Sequence, residues 1–471
     1  MLPFGPWRPD VAETNPAMSR NVRNVNPRRD SAGISYHPRK SLQVTSSATA
    51  LPAAPRGAFA VVQSSGEFKG YFGTASNLYS LDADYGFTSI GSGYTVTTGH
   101  NWGFCQYGDR LIATNTTDGM FEWDVESGGT VDAISGAPAA RFVFVWAEMI
   151  IATDCDGDNM LLRNSAPGSY TNWATQGAQQ SPFAEGGALM GGGSLNDGQA
   201  AILQSGATHI LTVTGTERIF RRDKISDIGA ASPECIVQTP GAVYFIGYGG
   251  FYRVTAQGVE EIGSDKVNRT FLESVDNIES VLGAYDPERR QVVWRKSASE
   301  LIIYDIATSE FVPVDEGTTA IVRMSSTALT LEDLDAFGNI DTLPYSLDSA
   351  AWKGGRPRLA ALDGSYKFGF FDGSVLAATI DTATLTNTRS MLVSRVTPVT
   401  DDENVTVSIG VRERLADAST FKTPATMGAS GRCAVRGRGK CVIIRVAHAA
   451  GAVWTYDRGV DGLEMTLGGN K

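Results

Sequence analysis

Leu111-Ile112-Ala113-Thr114 and Met120-Phe121-Glu122-Trp123-Asp124-Val125, joined across Thr117-Asp118-Gly119, set the pattern that organises most of this 471-residue chain. Two short apolar runs flanking a Gly turn read as a β-hairpin, because glycine takes positive φ at little cost. The later run recurs as Leu78-Tyr79-Ser80-Leu81, Met160-Leu161-Leu162, His209-Ile210-Leu211-Thr212-Val213, Phe251-Tyr252-Arg253-Val254 and Leu301-Ile302-Ile303-Tyr304-Asp305. The earlier run recurs as Met149-Ile150-Ile151-Ala152, Ala201-Ile202-Leu203, Val243-Tyr244-Phe245-Ile246 and Gln291-Val292-Val293-Trp294, with further turns at Asp156-Gly157-Asp158-Asn159 and Tyr248-Gly249-Gly250. The repeat is ~40 residues, the period of four-stranded blades, so the chain is expected to be all-β with a β-propeller over residues 57–318. Six units fit. A seventh is open, because residues 358–380 read as three short strands broken by Asp363-Gly364 and Asp372-Gly373.

The flanks read differently. In residues 1–56, Pro3, Pro6, Pro9, Pro16, Pro27, Pro38, Pro52 and Pro55 interrupt regular structure, so an extended arm is expected. It holds too little apolar surface to fold alone and must lie along its own body or a neighbour. Residues 319–357 read as a linker with one short helix over Thr327–Asp335. Residues 358–471 read as a smaller antiparallel β domain, with strands at 375–380, 391–396, 405–411, 441–446 and 453–456. Alternation in Val405-Thr406-Val407-Ser408-Ile409 marks one wet face. Arm and C-terminal domain together are expected to form a platform.

Composition fits a turn-rich β protein: 52 Gly and 19% charged residues. No run of ~18 apolar residues is present, which excludes a membrane-spanning helix. The start, Met1-Leu2-Pro3-Phe4-Gly5-Pro6-Trp7, lacks the apolar stretch of a secretory signal, so synthesis in the cytoplasm is expected. Five cysteines, odd in number and irregularly spaced, read as reduced thiols. The net charge of −11 conceals a pattern. Residues 1–56 carry eight Lys/Arg against three Asp/Glu, and residues 431–471 seven against three, which leaves −20 for the middle. An acidic body with two basic ends repels free nucleic acid and offers those ends to acidic neighbours.

Signals for chemistry are thin. Asp154, Asp156 and Asp158 have the alternate spacing of a calcium loop, but the twelfth position is Ser165 rather than a bidentate Glu, and a polar hairpin turn is the expectation. Ser165-Ala166-Pro167-Gly168-Ser169-Tyr170-Thr171-Asn172-Trp173 is similar to the Asp-box turn of sialidase propellers, with Pro167 where the aspartate belongs. His37, His100, His209 and His448 show no zinc spacing, and neither a nucleophile elbow nor a P-loop is present. Glu148, Glu217 and Asp286 are selected as a glycosidase pair by nothing in the sequence. No catalytic residue, metal or cofactor is therefore assigned. Gly431-Arg432-Cys433-Ala434-Val435-Arg436-Gly437-Arg438-Gly439-Lys440 holds four cations and no acid. It reads as a flexible Gly/Arg segment for an acidic partner or a phosphate backbone, or else as a solvated hairpin, and without aromatics it is unsuited to stacking on bases.

Pro3-Phe4-Gly5-Pro6-Trp7-Arg8-Pro9-Asp10, Ser19-Arg20-Asn21-Val22 and Asn24-Val25-Asn26-Pro27-Arg28 resemble the start of tail nozzle proteins of short-tailed bacteriophages, also called tail tubular protein B. Similar stretches follow in order, among them Phe72-Gly73-Thr74-Ala75-Ser76-Asn77-Leu78-Tyr79, Tyr107-Gly108-Asp109-Arg110-Leu111-Ile112, Gly136-Ala137-Pro138-Ala139-Ala140-Arg141, Gly249-Gly250-Phe251-Tyr252, Ile262-Gly263-Ser264-Asp265-Lys266-Val267-Asn268-Arg269-Thr270-Phe271, Tyr285-Asp286-Pro287, Leu331-Glu332-Asp333-Leu334-Asp335 and Ser346-Leu347-Asp348-Ser349. The resemblance implies a non-enzymatic structural protein of the virion tail: a propeller with a platform, assembled as a homo-oligomeric ring, usually of six copies. Such a ring sits below the portal and adaptor, continues the channel for passing genomic DNA without sequence specificity, and gates its release beside tail-fibre or tail-tip proteins. On this reading docking falls to Trp7, Arg8, Arg20, Arg23, Arg28 and Arg29 of the arm and to Arg432, Arg436, Arg438 and Lys440 near the C-terminus. The competing readings are a glycan-binding or glycan-hydrolysing propeller and a head-completion or tail hub protein.

Overall fold

Each hairpin foreseen from the repeat is the middle of a four-stranded antiparallel sheet, and the computed structural model arranges seven such sheets as the blades of a β-propeller. It describes residues 1–31, 33–45, 48–215, 219–325 and 357–467. Blades 1 to 6 run consecutively through residues 58–92, 103–133, 140–182, 189–226, 237–261 and 282–315. Blade 7 is composite: Ala320–Ser325, Pro357–Leu362 and Phe368–Phe370 are completed by Gln43–Val44 from the arm. The seventh unit left open by the sequence is thus present, with its inner strand at 320–325, inside the expected linker, and two of its strands in the stretch read as C-terminal domain. The foreseen short helix over residues 327–335 lies outside the described residues.

The second strands are largely buried because neighbouring blades cover both their faces. All six residues of Ala242–Gly247 are buried, as are Ile150, Ile151 and Ala152 in blade 3. The core is accordingly a ring of clusters between blades: Cys105, Ile112 and Met120 with Val143 and Ile150; Phe144 and Ile151 with Ile202 and Leu211; Val293 and Ile303 with Leu359 and Ala361. Each fully buried Ile or Leu contributes about 1.5–3 kcal/mol. The circle closes where Phe72 of blade 1 meets Phe368 of blade 7 edge-on at 6.1 Å, with Leu51 and Leu362 alongside. At the closure, Gly369 pairs with Val44, and a Cβ on Gly369 would lie 2.4 Å from the Gln43 carbonyl oxygen, so only glycine admits the arm strand.

The platform is an eleven-stranded antiparallel sheet curled into a nearly closed barrel. Its arm strands are Leu2–Pro3, Val22–Arg23, Val25–Asp30 and Gly33–Pro38; its C-terminal strands include Ala378–Asp381, Leu385–Thr400, Thr406–Arg412, Gly437–His448 and Asp457–Leu467. Pro27 is accommodated because Val25–Asp30 ends the row of paired strands. The strand expected at 453–456 is instead a loop, held by Asp401, whose carboxylate accepts from the Thr455 and Tyr456 amides. The Gly/Arg segment is partly strand. Its residues 437–440 open the strand Gly437–His448, and a Cβ on Gly437 would lie 2.6 Å from Ile409 Cγ2, so the small residues face the packed side.

Candidate functional site

The platform sits on blade 6, along its outer strand Glu310–Asp315. That strand contains Pro313, which removes a ladder donor and suits an edge. Asn24 covers the edge from the arm: its amide donates to the Pro313 carbonyl at 3.1 Å, and its Oδ1 accepts from the Asp315 amide at 2.7 Å. Asn24 has φ of 63°, a conformation that asparagine tolerates better than most residues, and its Nδ2 donates to the Ala377 carbonyl at 2.8 Å. One side chain therefore ties arm, blade and C-terminal segment. Arg8 adds a two-pronged pair to buried Glu310, Nη2 to Oε1 at 2.6 Å and Nε to Oε2 at 3.3 Å. Arg23 pairs with Asp315 and, at 3.4 Å, with Glu300. The helix Asn268–Ser274 completes the seat, with Asp10 accepting from the Arg269 and Thr270 amides.

The candidate docking residues therefore divide. Trp7 is buried in the core shared by platform and blades 4 to 6. Arg8 and Arg23 are committed to the joint, Arg29 stands 3.8 Å from Glu310, and Arg20 reaches the Pro9 carbonyl and Glu13. Arg28 is exposed beside His37, whose pKa is lowered by burial and by that guanidinium. Arg432, Arg436, Arg438 and Lys440 are all exposed and alternate with buried Cys433, Val435, Gly437 and Gly439. Among the described residues none of these four side chains has a hydrogen bond or ion pair. Farther along the same strand, Arg445 is held by Asp381 through two bonds of 2.7 Å.

The first strands of all seven blades line a central channel of about 770 Å³. Its ionic feature is Arg141 against Glu234, 3.7 Å apart, where burial pushes the Glu234 carboxyl up and Arg141 opposes the shift. Arg323 faces the same channel beside Phe68. Glu148 and Asp286 are not brought together: Glu148 sits on an exposed turn of blade 3, while Asp286 is buried in blade 6 with Arg289 at 3.2 Å. Glu217 lies outside the described residues. The Asp154–Asp158 stretch forms a hairpin turn in which Asp156 pairs with Arg163 at 2.9 Å. All five cysteines are free and buried, with burial pushing the Cys155 thiol to about 12.

One cluster escaped the sequence reading. In the platform, His448 lies flat on Trp454, ring centroids 4.0 Å apart, with Nδ1 2.7 Å from Asp402 Oδ2 and Nε2 3.0 Å from Asp457 Oδ2. All three titratable groups are buried. Both ring nitrogens face carboxylates, so the imidazolium is the form that fits; the carboxylates outweigh desolvation and raise the His448 pKa. Only the Asp457–His448 spacing is local, and a strand reading puts those residues on different strands without revealing Asp402.

No family model matches the chain, and no curated protein matches it. Among solved structures, a chain of a nidogen/laminin complex is 10% identical, with TM-score 0.33 over 52% of this chain and 92% of that one. A streptogramin B lyase is 12% identical, with TM-score 0.40 over 60% and 91%. The WD40 repeats of RRP9 are 7% identical, with TM-score 0.41 over 62% and 89%. These are distant likenesses, and none brings an activity to this chain.

Proposed function

We propose that this chain is a structural protein of a short bacteriophage tail, a nozzle that assembles as a homo-oligomeric ring, continues the DNA-ejection channel and gates genome release. The observation that carries the reading is the ordered run of nozzle-like motifs from Pro3 to Ser349. The architecture is consistent with it: a propeller joined to a platform woven from both ends of the chain. The joint adds support, because nozzle-like residues of the arm perform a task there. Trp7 fills the shared core, Arg8 clamps Glu310 and Asn24 caps the blade 6 edge. A platform fixed in this way can transmit load between stacked rings. Adaptor, tail-fibre or tail-tip proteins are the neighbours this reading supplies.

Immunogold labelling of purified particles and host cells, with antibody to this chain, tests the proposal. Gold at the far end of a short tail is the expected result. Label on the cell surface with bare particles overturns it and favours the glycan-binding alternative.

A further inference from the structure

We propose that the cation row Arg432, Arg436, Arg438 and Lys440 docks on the acidic turns of blades 1–3 of a second copy of this chain, head to tail. The inference rests on the homo-oligomeric reading above and names the surfaces that would meet.

The row is a built feature. Its four cations project from one face because every alternate residue is buried, and Gly437 and Gly439 let that segment pack against Ile409, Val411 and Arg412. At roughly 3.4 Å per strand residue, the Cα atoms of Arg438 and Lys440 stand about 7 Å apart, with Arg436 just before the strand begins. Among the described residues these four side chains have no carboxylate partner, whereas Arg445 on the same strand has its own.

The complementary surface is on the same molecule. Blades 1–3, residues 57–182, hold thirteen Asp/Glu against four Lys/Arg. In an up-and-down blade the turn from first to second strand and the turn from third to fourth open at the same end. In blades 1–3 those turns carry Glu67, Asp84, Asp109, Glu126 and Glu148, all exposed. Asp109 lies 3.6 Å from Arg110; the other four have no cation partner among the described residues.

Among the described residues row and turns make no contact with each other within one copy. The platform is seated on blade 6, and in a circle of seven blade 1 lies two places away and blades 2 and 3 three. Two unlike patches that do not pair within one molecule make a heterologous contact between copies, which propagates into a ring when the rotation closes. A nucleic acid is the less favoured occupant, since the row lacks a stacking ring and the rest of the molecule is acidic.

The test is sedimentation of the full chain at 50 mM and 500 mM salt, with the variants R436E/R438E/K440E and E67K/E126K/E148K. All six positions are exposed, and an unchanged melting temperature shows that each variant folds. The expected result is that the native chain associates and weakens at 500 mM salt, where the Debye length falls to about 4–5 Å. Each variant alone should associate at least tenfold more weakly, and an equimolar mixture of the two should regain association, because the row of each variant then meets opposite charge on the turns of the other. Native-like association of R436E/R438E/K440E overturns the docking assignment while leaving the homo-oligomer standing. A native chain that is monomeric at both salts and at high concentration overturns both. Unchanged association combined with loss of binding to a short DNA duplex reassigns the row to nucleic acid.

Discussion

Replacing His448 by alanine removes the one group that reconciles two buried carboxylates. Two charge-assisted hydrogen bonds are lost, of 2.7 and 3.0 Å, each worth about 1.5–3 kcal/mol. Breaking a buried ion pair from one side costs about 3–5 kcal/mol, so His448→Ala is expected to destabilise the platform by that amount, with loss of the Trp454 stack included. The pH dependence follows from the direction of the shift. The native pKa of His448 is raised, so its contribution is complete below the unfolded value of about 6.5 and fades as pH rises through the native pKa. Asp457, also raised by burial, favours the protonated form once the imidazolium is gone. The variant should therefore recover stability toward pH 4, where a carboxyl can neutralise. Urea unfolding at pH 4, 7 and 9, read by hydrogen exchange of the strands Gly437–His448 and Asp457–Leu467, measures these effects. Nitrogen NMR of His448 at pH 7 should show both ring nitrogens protonated. A variant within 0.5 kcal/mol of native at pH 7, or a neutral imidazole there, would refute the reasoning.

Three further outcomes are expected. Asn24→Ala loses three side-chain bonds at the joint and puts alanine at φ of 63°, for about 2–3 kcal/mol, and should speed hydrogen exchange at residues 311–315 while blades 1–3 stay protected. Gly369→Val sets a side chain against the Gln43 carbonyl and should expel the closure strand, with new proteolytic cleavage near residues 41–45; an uncleaved variant with native melting would count against the closure. Arg8→Ala removes the two-pronged partner of buried Glu310, leaving the more distant Arg29, and should cost about 3 kcal/mol or more in urea unfolding, whereas a loss under about 0.5 kcal/mol would show that the pair holds nothing.

The propeller was legible where burial left a pattern. Second and third strands such as Met149–Cys155 and Leu301–Asp305 are covered on both faces and read as apolar runs. Outer strands such as Gln179–Pro182 and Gly128–Ala133 face water on much of their surface and carry no such run. Gln43–Val44 was illegible because its place is set by partners more than 300 residues away, and a two-residue strand has no period. The joint was hidden for the same reason: Asn24 and Arg8 meet residues 315 and 310, and only the fold makes them neighbours. The basic row was visible as composition. Its strand packing rests on glycines that read locally as looseness.

The composite seventh blade imposes an order on biosynthesis. Gln43–Val44 leaves the ribosome first, and the strand that receives it, Phe368–Phe370, emerges more than 320 residues later. At roughly 5–20 residues per second, that is on the order of tens of seconds during which the early strand has no partner and the growing ring keeps an open edge. A nascent chain cut short before residue 370 can stack its early blades but cannot lock the circle, so such a product remains exposed to proteases and chaperones. Ring closure thus reports that translation has passed the propeller, and only chains that have passed that checkpoint can complete the platform.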